Sequence, residues 1–170
     1  MIHHDLVEQA KLLAGLERGR PKLVSLRRAV SSLYYALFHY LIHHSTCLLM
    51  GSQASESSFR NILARGYDHR SLREACDSFR RSKILKDRFK DLDPAGYAVP
   101  DEIQDIAAVF SVLQEMRHLA DYNLNRKWSR GEILAMIDQT ERSIQVFDQL
   151  KLKDPHRSFF LGNLIAWSKH

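Results

Sequence analysis

A stretch of 29 residues without glycine or proline, residues 22–50, is the feature of the sequence that most restricts its fold. Glycine and proline interrupt helices and form most tight turns, and the 170-residue chain holds only seven glycines and four prolines. Average usage would give about twice that number. Apolar residues recur at helical spacing and no segment alternates with period two, so the sequence predicts an all-α fold.

The predicted architecture is one domain over residues 1–170, an antiparallel helical bundle of four main helices with short extra helices. Three main helices are expected at residues 5–17, 22–50 and 101–124. The fourth is expected to begin at a capping-box pattern at Ser129 and Glu132, with its apolar residues between Ile133 and Leu150. Weaker helical patterns flank Gly66. Residues 82–100 are expected to form a loop or to be partly disordered. The apolar residues 157–168 predict a C-terminal helix that docks on the bundle or on a partner.

Composition limits the class of protein. Twenty-five Lys and Arg against 20 Asp and Glu make the chain mildly basic, which slightly favours a nucleic-acid partner. Cys47 and Cys76 form no zinc or disulfide motif. The start of the chain does not resemble a signal peptide, and no run of about 18 apolar residues occurs, so we expect a cytoplasmic protein without a membrane segment. Phosphate-loop, dinucleotide-binding and hydrolase-elbow motifs are absent.

One face of the second main helix carries an unusual set of side chains: Arg28, Ser32, Tyr35 and His39. Solvated helix faces usually carry Glu, Lys and Gln, whereas this one carries hydroxyls, a phenol and an imidazole. The face is therefore either an ordinary polar surface or a place for a phosphate or a partner helix. His43 extends it, and His39 with His43 has a spacing that can chelate zinc. No third ligand is identifiable, so we predict no metal site and no cofactor.

Arg117 interrupts the apolar line of the third main helix. A guanidinium in such a position needs a partner, and Asp121, four residues later, is the natural one. One hypothesis is an internal ion pair that ties this helix to a tyrosine hydroxyl on the second. The other is that Arg117 faces a cleft and meets an anionic ligand, with Asp121 orienting it. The pattern is compatible with both.

Two segments together resemble the HEPN superfamily. Residues 27–39 read RRAVSSLYYALFH, and residues 117–122 read RHLADY. The resemblance spans roughly residues 20 to 150 and implies a small helical bundle, often a homodimer, that binds RNA or a nucleotide. Many members are metal-independent endoribonucleases of toxin–antitoxin or antiviral defence systems. Others are non-catalytic modules that bind nucleotides or proteins, often beside a nucleotidyltransferase partner.

The resemblance also assigns roles. Arg117 matches the family's catalytic arginine, which acts on the phosphate, but the histidine position a few residues later holds Tyr122, and His118 stands next to Arg117. A phenol is almost fully protonated at neutral pH, so Tyr122 is a poor base and a better acid, and His39 or His118 would have to help.

Arg117 and Tyr122 are about 140° apart around an unbroken helix. They would therefore meet at one phosphate only if the helix breaks or a second protomer contributes. The predicted catalytic residues are thus Arg117, His118, Asp121 and Tyr122, and the predicted ligand-binding residues are Arg28, Ser32, Tyr35 and His39.

Overall fold

The computed structural model describes residues 1–81 and 98–167, and every regular element in these ranges is helical. Their order is α1 (Ile2–Gly15), α2 (Leu23–Met50), α3 (Ser57–Ala64), α4 (His69–Arg80), α5 (Asp101–Tyr122), α6 (Arg130–Gln149) and α7 (Pro155–Trp167), with one 3₁₀ turn at Ala54–Glu56. The all-α prediction is confirmed for the described residues. Of the predicted loop at 82–100, only residues 98–100 are described, and they are not helical. Within the described ranges, no helix is both long enough and apolar enough to cross a membrane.

The longest helix, α2, covers almost the whole stretch without glycine or proline. Gly51 ends it, because this residue adopts φ 79°, a left-handed conformation that costs glycine little. The amide of Gly51 donates a hydrogen bond of 2.9 Å to the carbonyl of Cys47 and so closes the last turn. The predicted core stripe of α2 is fully buried at Leu26, Val30, Leu33, Leu37 and Leu41.

The chain divides into two compact units. Unit 1 consists of Met1–Tyr40 and Val109–Gln145, and unit 2 of Leu41–Ala108 and Val146–His170. The predicted functional residues all lie in unit 1. Its buried side chains include Tyr34 and Phe110, whose ring centroids are 5.6 Å apart, and Ile133 and Ile137 of α6. The single domain over residues 1–170 stays a prediction.

In unit 2, the apolar C-terminal segment is α7, which begins two residues before the predicted 157–168 and whose residue 168 lies outside the described ranges. Its Phe160 packs against Phe79 of α4 with ring centroids 4.9 Å apart. Arg157 of α7 is buried and donates hydrogen bonds to the carbonyls of Phe147 and Leu150 near the end of α6. This guanidinium is a second donor to the carbonyl of Phe147, which also accepts from the Leu150 amide at 3.2 Å, and a donor to the carbonyl of Leu150 just beyond the helix.

Two arginines tie the ends of the unit 1 helices together. Arg27 of α2 donates to the carbonyls of Ala120 and Asn123 at 2.7 Å each. Arg130, the first residue of α6, donates to the carbonyl of Ala14 at 2.9 Å and to that of Gly19 at 3.0 Å. These hydrogen bonds therefore hold the segment between α1 and α2, and the residues next to it, against the segment between α5 and α6.

The end of α5 differs from the prediction. The helix stops at Tyr122 and does not continue to Leu124, which is 79 % exposed and contributes nothing to the core. The side chain of Asn123 accepts hydrogen bonds from the amides of Asn125 and Arg126 and so forms a tight turn directly after the helix. Local side-chain chemistry ended the helix even though the apolar period continued to Leu124.

Candidate functional site

The polar face of α2 lines a cleft of about 470 Å³ in unit 1, the α1–α2 cleft. Its lining residues come from two facing helical stripes, Ile2, Leu6, Gln9 and Leu13 of α1 and Arg28, Ser31, Ser32, Tyr35 and His39 of α2. The four predicted ligand-binding residues therefore share one cleft. Its α1 wall is mostly apolar, since three of the four α1 residues that line it are Ile or Leu. The opposite face of α1 carries Val7, Ala10 and Ala14, which are buried in the core.

Polar groups inside the α1–α2 cleft are already placed. The Ser32 hydroxyl lies 2.9 Å from the side-chain oxygen of Gln9, across the cleft. The rings of Tyr35 and His39 are close to parallel, with an interplanar angle of 29° and centroids 6.3 Å apart. Burial lowers the pKa of His39 below 6.5, so its imidazole is neutral at pH 7. The cleft thus combines an apolar wall, hydroxyl groups and two aromatic rings.

A second cleft lies on the other side of Arg28. This α2–α5 cleft of about 390 Å³ is lined by Val24, Arg27, Arg28, Ala120, Asp121 and Tyr122. The side chain of Arg28 lines both clefts and makes no hydrogen bond or ion pair within the described ranges. A guanidinium in this position is free to meet an anion in either cleft.

Arg117 is held inside unit 1. Its Nε lies 2.7 Å from Oδ2 of Asp121, and the two side chains are 23 % and 28 % exposed. Its Nη2 donates to the Tyr35 hydroxyl at 3.4 Å. The other carboxylate oxygen of Asp121 accepts a hydrogen bond of 3.0 Å from Ser31. This is the arrangement of the internal ion pair, and Arg117 lines neither of the two clefts.

Tyr122 and His118 lie together on the exposed side of α5. Their ring centroids are 4.9 Å apart, and Tyr122 is 67 % exposed. The helix is continuous through Arg117 and Tyr122, and no hydrogen bond or ring contact joins these two residues in the part of the chain that is described. The predicted catalytic set is therefore split into an exposed pair, His118 and Tyr122, and a partly buried ion pair, Arg117 and Asp121.

The positive charge of the chain is concentrated beside these residues. Residues 15–30 and 117–132, here called the basic end, carry nine Arg and Lys against three Asp and Glu, and the rest of the sequence carries sixteen against seventeen. Five cations of the basic end are exposed and have no hydrogen bond or ion pair with any described residue: Arg18, Arg20, Lys22, Arg28 and Lys127. This end of unit 1 can attract an anion without first breaking an internal ion pair.

Some residues of the site were not predicted from the sequence. The α1 wall of the cleft could have been found, because its residues are spaced by four, three and four positions, which is typical of one helix face. They are Ile2, Leu6, Gln9 and Leu13. Ser31, the partner of Asp121, had no comparable signature. As for metals, nowhere in residues 1–81 and 98–167 do three His, Cys, Asp or Glu side chains lie close enough to hold an ion, so His39 and His43 gain no third ligand there.

Comparison with protein-family models, with curated proteins and with solved structures finds no match to this chain. The HEPN resemblance therefore depends on the two motifs alone, residues 27–39 and 117–122. In the structure these motifs are neighbours, since Arg27 and Ser31 of the first bind Ala120 and Asp121 of the second.

Proposed function

We propose that this chain is a HEPN-type RNA-binding protein and that it binds single-stranded RNA at the basic end of unit 1. The observation that carries the proposal is the excess of positive charge there, nine basic against three acidic residues, in a chain that is otherwise close to neutral. Phosphate contacts and the release of counterions supply most of the affinity of proteins for nucleic acids. Five exposed cations without internal partners suit that role.

Exposed aromatic groups beside the cations favour a single strand over a duplex. Unpaired bases stack on tyrosine and histidine rings, whereas the bases of a duplex already stack on each other. Tyr122 lines the α2–α5 cleft together with Arg28, and the ring of His118 lies 4.9 Å from the ring of Tyr122.

Cleavage of the bound RNA is the catalytic form of the proposal. His118 would take the proton of the ribose 2′-hydroxyl, whose oxygen attacks the phosphorus, and Tyr122 would give a proton to the departing 5′-oxygen. The products are a 2′,3′-cyclic phosphate and a 5′-hydroxyl. Arg28, or Arg117 of a second protomer in the homodimer that the resemblance implies, would balance the extra phosphoryl charge. Arg117 would have to leave Asp121 to do so.

The closed pair of Arg117 and Asp121 favours a second function, a non-catalytic module. With Arg117 held by the Asp121 carboxylate and the Tyr35 hydroxyl inside unit 1, the residue that matches the family's catalytic arginine acts as part of the fold. In this form the basic end binds RNA, a nucleotide or a partner protein without chemistry. A nucleotidyltransferase or an antitoxin is the partner that the resemblance implies.

A binding experiment tests the shared part of both forms. Fluorescence anisotropy of a fluorescein-labelled single-stranded RNA, in the presence of a chelator, should show binding by the intact chain. The double variant Arg28→Ala, Lys127→Ala should bind several-fold more weakly. Arg65→Ala removes an exposed arginine from unit 2 and should leave the affinity unchanged. Absence of binding, or equal losses in both variants, contradicts the proposal.

A cleavage experiment separates the two forms. The same RNA is incubated with excess protein and analysed on a denaturing gel. Fragments with a 2′,3′-cyclic phosphate that disappear with His118→Ala and Tyr122→Phe support the nuclease. Intact RNA that remains bound supports the non-catalytic module. Cleavage that persists in both variants contradicts the assigned roles of His118 and Tyr122.

A further inference from the structure

The α1–α2 cleft is the larger of the two clefts that Arg28 lines, and the functions proposed above leave most of it unused. Its volume of about 470 Å³ falls within the range of small-molecule pockets, roughly 300 to 1,000 Å³. Arg28 stands at one end of the α2 stripe, and Tyr35 follows two helical turns later, about 10 Å along the axis. The cleft therefore begins at a free cation and continues between an apolar wall and two aromatic rings.

The two walls differ in chemistry, and this restricts what can fill the space. Leu6 and Leu13 of α1 offer apolar surface, whereas Tyr35 and His39 of α2 offer ring faces. Between them, the Ser32 hydroxyl donates a hydrogen bond of 2.9 Å to the side-chain oxygen of Gln9. A flat heterocycle can pack its faces against the apolar and aromatic walls while its polar edge hydrogen-bonds to the side-chain amide of Gln9. A purely aliphatic ligand would use only the apolar surface.

We propose that the α1–α2 cleft holds one unpaired nucleobase of the bound RNA, stacked on Tyr35 and His39, with the adjoining phosphate on Arg28. This inference rests on the proposed function, and it adds a base-binding subsite away from His118 and Tyr122. Arg28 lines both clefts, so a strand that crosses its guanidinium can place one nucleotide in the α1–α2 cleft and the next in the α2–α5 cleft. Stacking on a ring is tolerant of base identity, so we expect little sequence preference.

The test compares two ligands of equal charge and length: an oligouridylate and the matching abasic ribose-phosphate chain. The intact protein should bind the oligouridylate at least about fivefold more tightly, since base stacking on one aromatic group typically contributes that much or more. Tyr35→Leu should remove the preference and leave the affinity for the abasic chain unchanged. Tyr35→Phe keeps the ring and should retain the preference.

A second variant, on the α1 wall of the cleft, tests whether the effect of Tyr35→Leu comes from loss of the subsite and not from misfolding. Leu13→Glu changes α1, which has no part in the Arg117 contacts, and should also abolish the preference while circular dichroism shows an intact helical fold. If the intact protein binds both ligands equally, the base subsite is wrong and the proposed RNA binding survives. If it binds neither ligand, the proposed function itself is wrong. A preference that survives both Tyr35→Leu and Leu13→Glu places the base elsewhere and overturns the subsite.

Discussion

Arg117 illustrates at the scale of one residue how an arginine is accommodated on an apolar helix face. Its charge is balanced by Asp121, its Nη2 donates to the Tyr35 hydroxyl, and its guanidinium carbon lies 5.8 Å from the ring centroids of Tyr34 and Tyr35. Because both charged side chains are more than two-thirds buried, their interaction is weakened by solvent less than that of a surface pair.

A double-mutant cycle should show that this pair stabilises unit 1. Arg117→Ala and Asp121→Asn, which keeps an acceptor for Ser31, should have a coupling energy of about 1 to 2 kcal/mol in the free energy of unfolding. Urea denaturation measures it. The matched control is the pair Arg142 and Asp138, also four residues apart but 70 % and 67 % exposed, where we expect less than about 0.5 kcal/mol. Equal coupling in both pairs contradicts the structural role.

The partly buried histidines of α2 should make stability depend on pH. Burial lowers the pKa of His39, and burial together with the positive charge of Arg60 lowers that of His43. The unfolded chain therefore binds protons more readily than the folded chain, and the free energy of unfolding falls as the pH drops below about 6.5.

Two measurements check this pH dependence. Proton NMR should give titration midpoints below 6.5 for both imidazoles, and His39→Gln assigns one of them by removing its resonance. Urea denaturation of His39→Gln should show a shallower loss of stability between about pH 7 and pH 5.5. A midpoint above 6.5 for His39 would mean that its ring is solvated or paired with a carboxylate.

At the scale of helices, capping groups decide where unit 1 begins and ends its elements. The capping box of α6 was predicted from the sequence and is confirmed, since the Ser129 amide donates to Glu132 at 2.8 Å and the Glu132 amide to the Ser129 hydroxyl at 3.2 Å. The backbone hydrogen bond from Ser129 is the main cause of a lowered pKa at Glu132. The arginine cap on α5 has no such local pattern, because Arg27 comes from another helix.

Loss of that distant cap should loosen the end of α5. Arg27→Ala removes the guanidinium donors from the carbonyls of Ala120 and Asn123, of which the second keeps only the Arg126 amide at 3.3 Å, and should lower the free energy of unfolding by about 1 to 3 kcal/mol. Hydrogen exchange at residues 119–124 should become faster. Arg28→Ala removes the neighbouring, exposed arginine and should change neither measurement. If the two variants behave alike, the cap does not stabilise α5.

For the whole molecule, the uneven distribution of charge makes a prediction about salt. The logarithm of the RNA affinity should fall linearly with the logarithm of salt concentration, with a slope of about −0.7 for each phosphate contacted. Arg28→Ala should make the slope less steep by about 0.7, the amount expected for one phosphate. Arg65→Ala, in unit 2, should leave the slope unchanged. An affinity that does not depend on salt excludes binding through the basic end.

The main helices could be predicted from the sequence, because the signals that form them are local. The absence of glycine and proline from residues 22–50 favoured a long helix, and the capping box at Ser129 and Glu132 marked the start of α6. The predicted end of α5 was wrong by two residues, because the side chain of Asn123 forms a turn after Tyr122 although apolar residues continue at helical spacing to Leu124. The unusual face of α2 could also be recognised in the sequence, because its residue types differ from those of a solvated helix.

What those residues face depends on how the helices pack together, which the sequence pattern does not show. A stripe on one helix becomes a cleft when a second helix lies beside it, and the α1 stripe supplies that wall. Likewise, Arg117 forms an ion pair with Asp121 inside unit 1. Tyr35 accepts a hydrogen bond from Arg117, and Ser31 donates one to Asp121. Tyr122 and His118 stay exposed. Helix formation depends on residues three or four apart, whereas pairing across helices joins residues 82 and 90 positions apart, such as Tyr35 with Arg117 and Ser31 with Asp121. No local pattern encodes such contacts, so the sequence left both hypotheses for Arg117 open.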